Sequence, residues 1–132
     1  MKYLSVVLLM LAAHIAALCG QTVLPTPARL DPAPGRLLLG RKVTMCAADT
    51  AAPYLRLLRA EMLGNAAVRW TKRPAKADIC WQTDPTLPAE AYRISIRARQ
   101  MVVTAAGAAG FAHAVQTLRQ WHTEEGGKVA FG

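Results

Sequence analysis

The side chains best suited to metal or acid–base chemistry are few in this chain and lie far apart. It has three histidines, His14, His113 and His122. The last two lie on one predicted helix, and their spacing corresponds to about 900° of rotation, so they face opposite sides. A zinc site requires ligands that converge on one point. We therefore predict no metal site.

The cysteines offer thiol chemistry only if the fold brings them together. Of Cys19, Cys46 and Cys80, the last two lie in apolar runs typical of strands, where cysteine usually serves as a small hydrophobic residue. We favour core thiols. A disulfide between Cys46 and Cys80 is the alternative if their strands are neighbours and the compartment is oxidising.

An acid–base pair for hydrolysis is hard to find in this sequence. There is no Asp-Glu dipeptide, and the adjacent acidic residues Glu124-Glu125 lie in a glycine-flanked segment before Gly132. Nothing nearby is suited to bury these carboxyl groups and shift their pKa values. We interpret the segment as a solvated linker and predict that the chain carries no catalytic residues of its own.

Glycines at 107 and 110 precede a predicted helix, where backbone N–H groups can cradle a phosphate. Neither the P-loop spacing nor the dinucleotide-binding spacing is present. A strand-to-helix turn in which two backbones approach closely explains these glycines better. We predict no cofactor-binding residues and no cofactor.

The charge of the chain is basic but dispersed. Sixteen lysines and arginines face eight acidic residues, a formal net charge of +8. The basic residues are scattered, with short clusters at Arg41-Lys42, Lys72-Arg73 and Arg97/Arg99. A long basic stripe with interleaved aromatic residues, typical of nucleic-acid binding, is missing. We predict a solvated basic surface and no nucleic-acid partner.

The first 20 residues have the layout of an export signal. Lys2 gives a positive start, residues 4–18 are almost wholly apolar, and Gly20 ends a zone of small residues. The apolar run is short for a membrane span, and proline-rich sequence follows it. We predict a signal peptide over 1–20, a mature domain over 21–132 and a periplasmic or secreted location.

Lipidation of Cys19 is the alternative to a simple signal peptide. It is disfavoured because Leu18 is bulky at a position where a lipoprotein signal has a small residue. Only in the lipidated case do we expect a membrane partner.

Proline spacing and apolar periodicity predict the first elements of the mature chain. Prolines between residues 21 and 35 exclude a helix there. The apolar stretch over 36–47 predicts two strands around a turn. A helix follows, capped by Asp49 or Thr50 and stopped by Gly64-Asn65. Its buried face contains Leu55, Leu58 and Met62.

The second half of the chain has clearer patterns. Short strands are predicted over 66–70 and 77–82. Tyr92, Ile94 and Ile96 alternate with polar residues, which indicates a strand with one buried face, and 101–105 returns as its hairpin partner. The last helix has an apolar stripe, which we interpret as core and not as a cofactor contact. That stripe consists of Phe111, Val115, Leu118 and either Trp121 or His122.

Three segments resemble a known family. They are Glu90-Ala91-Tyr92-Arg93-Ile94-Ser95-Ile96 with its return strand, Gly110 followed by Gln116-Thr117-Leu118-Arg119-Gln120, and Val23-Leu24-Pro25-Thr26-Pro27. They are similar to the N-terminal domain of family 20 glycoside hydrolases, the β-N-acetylhexosaminidases, over almost all of the mature chain. His113 and Trp121 depart from the family, which usually has tyrosine and leucine there.

The resemblance implies an α+β fold, a two-layer sandwich with a mainly antiparallel sheet and two helices packed on one face. The helix and strand patterns indicate the same layers independently. The resemblance also implies that the domain precedes a catalytic (β/α)₈ barrel, its partner. There an Asp-Glu pair acts with the substrate's own acetamido group as nucleophile.

These observations predict an accessory N-terminal domain of an exported β-N-acetylhexosaminidase-type glycoside hydrolase of carbohydrate metabolism. We expect it to be truncated before the barrel and inactive alone, and to self-associate through uncovered apolar surface. The alternative is a free-standing exported module that binds glycans or anionic surfaces. Autonomous glycosidase activity is the least favoured interpretation.

Overall fold

The computed structural model describes residues 28–31, 35–50 and 52–131. The predicted signal peptide over 1–20, with Cys19, lies outside the described residues, as do Pro25, Pro27, Pro32 and Pro34. None of the helices that the structure describes is long and apolar enough to cross a membrane.

Eight strands and two helices follow one another in the described chain. Helix α1 spans Pro53–Leu58 and continues as a π-helical segment over Arg59–Leu63, and α2 spans Ala108–Trp121. A short 3₁₀ turn occupies Pro74–Lys76. The strands are β1 (Leu37–Leu39), β2 (Lys42–Cys46), β3 (Ala67–Trp70), β4 (Ile79–Thr83), β5 (Tyr92–Arg97), β6 (Gln100–Ala105), β7 (Thr123–Glu125) and β8 (Lys128–Phe131).

The strands form a five-stranded sheet in the order β3-β2-β4-β6-β5 and a three-stranded sheet in the order β1-β8-β7. Both helices pack on one face of the larger sheet, so the predicted α+β sandwich is confirmed. Antiparallel pairing holds for β5–β6, β7–β8 and β1–β8, whereas β2–β3, β2–β4 and β4–β6 are parallel. The β2–β3 pair is parallel because α1 returns the chain to the end of the sheet from which β2 starts.

The strands predicted over 36–47 exist but do not form a hairpin. β1 pairs with β8 in the small sheet, whereas β2 pairs with β3 and β4 in the large one. Gly40 and Arg41 between them therefore carry the chain from one sheet to the other.

Helix α1 begins differently from the predicted caps Asp49 and Thr50, whereas its π-helical continuation ends at Gly64 as predicted. Its N-cap is Ala52, which makes no side-chain cap hydrogen bond, and Pro53 occupies the first helical turn. The π-helical segment has a packing consequence, since its wider turn places residues five apart on one side. Leu58 and Leu63 are accordingly both buried, together with Met62.

The core lies between the helices and the large sheet. The predicted faces of both helices are buried there, except that Trp121 and His122 at the end of the second stripe are only half-buried. The sheet contributes alternate residues of its central strands, as a sheet covered on one side requires. The principal core residues are Leu55, Leu58 and Met62 from α1, Phe111, Val115 and Leu118 from α2, and Val43, Met45, Ile79, Trp81, Met101 and Val103 from the sheet.

The C-terminal segment is a hairpin, and its interpretation as a solvated linker is wrong. β7 and β8 are joined by Gly126 and Gly127, whose φ angles of 55° and 74° are those of the tight turns that glycine favours. β8 then pairs with β1, and Phe131 is fully buried in the core. Burial of a large aromatic side chain supplies the free energy that a linker would lack.

Candidate functional site

The carboxylates that the structure describes serve mainly as structural partners. Asp78 accepts a hydrogen bond from the backbone N–H of Thr44 at 2.7 Å, which ties the start of β4 to β2. Glu61 forms an ion pair with Arg119 at 2.8 Å, between the π-helical segment and α2. These residues lie on different elements and do not converge on one cleft.

The carboxyl group of Asp84 has a lowered pKa and is therefore unsuited to act as a general acid. Hydrogen bonds from the hydroxyl and the backbone N–H of Thr86, at 2.6 and 3.0 Å, lower the pKa of its carboxyl group. A carboxylic acid that donates a proton near neutral pH needs a raised pKa. Asp84 instead stabilises the turn between β4 and β5.

The two described histidines lie far apart along α2, with His113 in its first half and His122 at its C-cap. His113 is exposed in the helix. The Nδ1 atom of His122 lies 2.8 Å from the carbonyl oxygen of Arg119, and the His122 ring lies 6.5 Å from that of Phe131. Over residues 28–31, 35–50 and 52–131, no three His, Cys, Asp or Glu side chains are grouped to hold a metal ion.

The predicted close approach is confirmed at Gly110, in the first turn of α2, but not at Gly107. A Cβ atom at Gly110 would lie 2.4 Å from the carbonyl oxygen of Ala91 and 2.9 Å from the Cβ of Ala105. By contrast, a Cβ atom at the N-cap residue Gly107 would have no atom within 4 Å. Gly110 therefore allows α2 to lie directly on β5 and β6.

Three aromatic rings connect the two helices to the sheet. Tyr54 of α1 stacks on Phe111 of α2 with ring centroids 4.6 Å apart, and Trp81 of β4 meets Phe111 edge-on at 5.6 Å. Burial, followed by the nearby Asp49 carboxylate, raises the pKa of Tyr54. The indole N–H of Trp81 is buried without a hydrogen-bond partner among the described residues. The cluster is part of the core, and sequence alone did not bring its members together.

The face of the large sheet that points away from the helices is polar. Lys42, Arg69, Arg93 and Arg97 are exposed and alternate with the core-facing residues of their strands. Three of these four cations lie on the edge strands β3 and β5. Their dispersion agrees with a solvated basic surface, and the absence of a nucleic-acid partner stays a prediction.

The thiols of Cys46 and Cys80 occupy the middle of that same face. They are register partners on the neighbouring strands β2 and β4, and both are free. Burial and then the neighbouring Cys46 raise the pKa of the Cys80 thiol, and Gln82 Nε2 donates a hydrogen bond to Cys80 Sγ at 3.8 Å. The neighbouring strands that a disulfide requires are therefore present.

Comparison with known protein families shows to which family this chain belongs. The sequence matches Glycosyl hydrolase family 20, domain 2, over residues 20–132. This chain belongs to that family. It has the N-terminal, non-catalytic domain of the family 20 enzymes.

Solved family 20 structures share the fold of this domain. The β-N-acetylhexosaminidase from Bacteroides fragilis NCTC 9343 is 38% identical, with a TM-score of 0.75 over 85% of this chain and 25% of that one. The exo β-N-acetylglucosaminidase from Vibrio harveyi is 19% identical, with a TM-score of 0.72 over 84% and 18%. The Streptomyces coelicolor A3(2) β-N-acetylhexosaminidase is 23% identical, with a TM-score of 0.63 over 85% and 25%. The last two show the fold alone.

The chain spans a quarter or less of the length of each of these enzymes. A search of curated proteins finds no match. Two of the three segments that carried the resemblance lie together in the structure, because β5 and β6 pack directly under α2, whereas the segment over 23–27 lies outside the described residues. The thiol pair was the main feature that sequence reasoning left open, since register between distant strands has no local signal.

Proposed function

We propose that this chain is the accessory N-terminal domain of an exported β-N-acetylhexosaminidase-type glycoside hydrolase that acts in carbohydrate metabolism. The observation that carries the proposal is the family match over residues 20–132, together with 38% identity to the Bacteroides fragilis enzyme. A match that begins at residue 20 supports a mature domain over 21–132 and a signal peptide before it.

Hydrolysis requires residues outside this sequence. The matched domain is 25% of the Bacteroides fragilis chain, which leaves ample length there for a catalytic barrel. In the present domain Asp78 ties β4 to β2, Asp84 stabilises a turn, and Glu61 forms an ion pair with an arginine. A pair of carboxylates flanking a sugar, as glycoside hydrolysis ordinarily needs, has no counterpart among them. We expect the isolated domain to be inactive.

The partner in this proposal is the catalytic barrel. Large apolar side chains remain exposed on the domain, with Leu30 58%, Leu38 49% and Trp70 42% accessible. Uncovered apolar surface favours association. We therefore expect concentration-dependent self-association of the domain when no barrel is present, and a strictly monomeric sedimentation profile at high concentration would contradict this.

Activity measurements test whether this domain is inactive without the catalytic barrel. The purified 132-residue chain should not turn over a chromogenic N-acetylglucosaminide, whereas the full Bacteroides fragilis enzyme, measured in parallel, should. Turnover that persists through repurification of the chain would refute the proposal. Saturable glycan binding by the inactive domain would instead support a free-standing binding module.

Sequencing and labelling test the remaining parts of the proposal. A reading frame downstream of the Gly132 codon that encodes a barrel with a His-x-Gly-Gly-Asp-Glu segment is expected, and its absence favours the binding module. Expression in a bacterial host should give a chain cleaved after residue 20. Palmitate labelling that is lost in Cys19→Ser would show a lipoprotein instead.

A further inference from the structure

Cys46 and Cys80 are placed as the two halves of a disulfide would be. They are register partners on adjacent parallel strands, and both alternate with the core-facing residues of their strands, so both are directed away from the helices. Neighbouring strands lie about 4.8 Å apart, which is within the Cα separations of roughly 4.4–6.8 Å found for disulfides. The backbone therefore needs little movement to join them.

We propose that Cys46 and Cys80 form a disulfide site, which closes by exchange with a disulfide-bearing oxidant and links β2 covalently to β4. The oxidant is a small disulfide or the disulfide of a thiol oxidoreductase. The same exchange in reverse, with a thiol as reductant, reopens the site. This inference does not depend on the proposed function.

Accessibility sets the order of the two exchange steps. Cys46 is half-buried, whereas Cys80 is 1% exposed. The Cys46 thiolate attacks one sulfur of the oxidant R–S–S–R, so that a Cys46–S–S–R bond forms and RS⁻ leaves. Cys80 then loses its proton to the solvent, attacks Cys46 Sγ and expels the second RS⁻. The two cysteines lose two electrons and two protons, and the oxidant becomes two thiols.

The second step is the slow one. Burial and then the neighbouring Cys46 raise the pKa of Cys80 to about 11, although the hydrogen bond from Gln82 partly offsets this. Few Cys80 side chains are thiolates near neutral pH, and the thiolate is the attacking species. A mixed disulfide on Cys46 is therefore expected to accumulate before the ring closes.

Mass spectrometry of the whole chain tests the site directly. The reduced 132-residue chain carrying Cys19→Ser, so that Cys46 and Cys80 are its only thiols, is incubated with oxidised glutathione. The expected end point has no free thiol, no adduct and a mass lower by two hydrogen atoms. At pH values below the pKa of Cys80, the rate of disulfide closure should rise about tenfold for each increase of one pH unit. A chain that keeps both thiols, or that stops at a stable adduct, overturns the proposal.

Single variants test the order of the steps. Cys80→Ser should retain one glutathione on Cys46, whereas Cys46→Ser should keep a free thiol at Cys80 while folded and react only in denaturant. Equal adduct formation by both folded variants contradicts Cys46 as the entry thiol. Where either serine variant fails to fold, as judged by circular dichroism, the corresponding alanine variant replaces it. The measurement follows mass and not turnover, so it is independent of any glycosidase activity.

Discussion

The hydroxyl oxygens of Tyr92 on β5 and Thr117 on α2 lie 2.5 Å apart. Thr117 is the one polar side chain among the fully buried residues of the described structure, with 3% exposure. Their hydrogen bond satisfies this hydroxyl and joins the middle of the long helix to the edge strand. Both residues belong to the segments that carry the family resemblance.

Removal of the tyrosine hydroxyl should destabilise the domain. Tyr92→Phe leaves the Thr117 hydroxyl buried without this partner, and we expect the free energy of unfolding to fall by about 1–2 kcal/mol. Urea unfolding measures the change. The double variant Tyr92→Phe/Thr117→Val removes both hydroxyls and should recover part of the loss, because neither group is then left unsatisfied. Strictly additive effects would contradict the coupling.

Gly110→Ala should also be destabilising, although alanine is the better helix former by about 1 kcal/mol. Its Cβ atom would lie 2.4 Å from the Ala91 carbonyl oxygen, so α2 must move away from the sheet. We expect a net loss of about 1–3 kcal/mol. Gly40→Ala is the matched control, since nothing lies within 4 Å of its Cβ position. Equal thermal stability of the two variants would argue against the close approach.

Phe131→Ala tests whether the C-terminal hairpin is part of the core. Phe131 is fully buried, so truncation to alanine should cost about 3–5 kcal/mol. Leu38→Ala, on the paired strand β1 but 49% exposed, should cost far less. Thermal unfolding distinguishes the two variants. A solvated linker would leave both melting temperatures unchanged.

Stability should decline at alkaline pH because of Cys80. The unfolded thiol titrates near its ordinary pKa of 9.0 and the folded one near about 11. The stabilisation that the neutral Cys80 thiol gives to the folded state is therefore fully present below pH 9.0. It is lost as the pH rises through 11, because the unfolded state releases its proton first. Urea unfolding of the reduced chain at about pH 8 and about pH 10 measures this linkage. Cys80→Ala should flatten the decline, and an identical slope in the variant would contradict the assignment.

Local patterns in the sequence determined the elements of this fold. Alternation at Tyr92, Ile94 and Ile96 predicted β5, and the spacing of Phe111, Val115 and Leu118 predicted the buried face of α2. Such patterns succeed because the period of the side chains along a strand or helix depends on neighbouring residues alone. The same two segments carried the resemblance that the family match confirmed.

Which strands pair with one another was decided only by the tertiary structure. The apolar run of β1 did not reveal that its partner is β8, some ninety residues away, nor did Val43 and Met45 reveal that β2 lies between two parallel neighbours. Strand pairing depends on long-range packing that no local spacing encodes. Thus the sequence by itself determined the layers, the family and the scarcity of groups suited to catalysis. The buried C-terminal hairpin and the alignment of Cys46 with Cys80 followed from the register of the folded sheets.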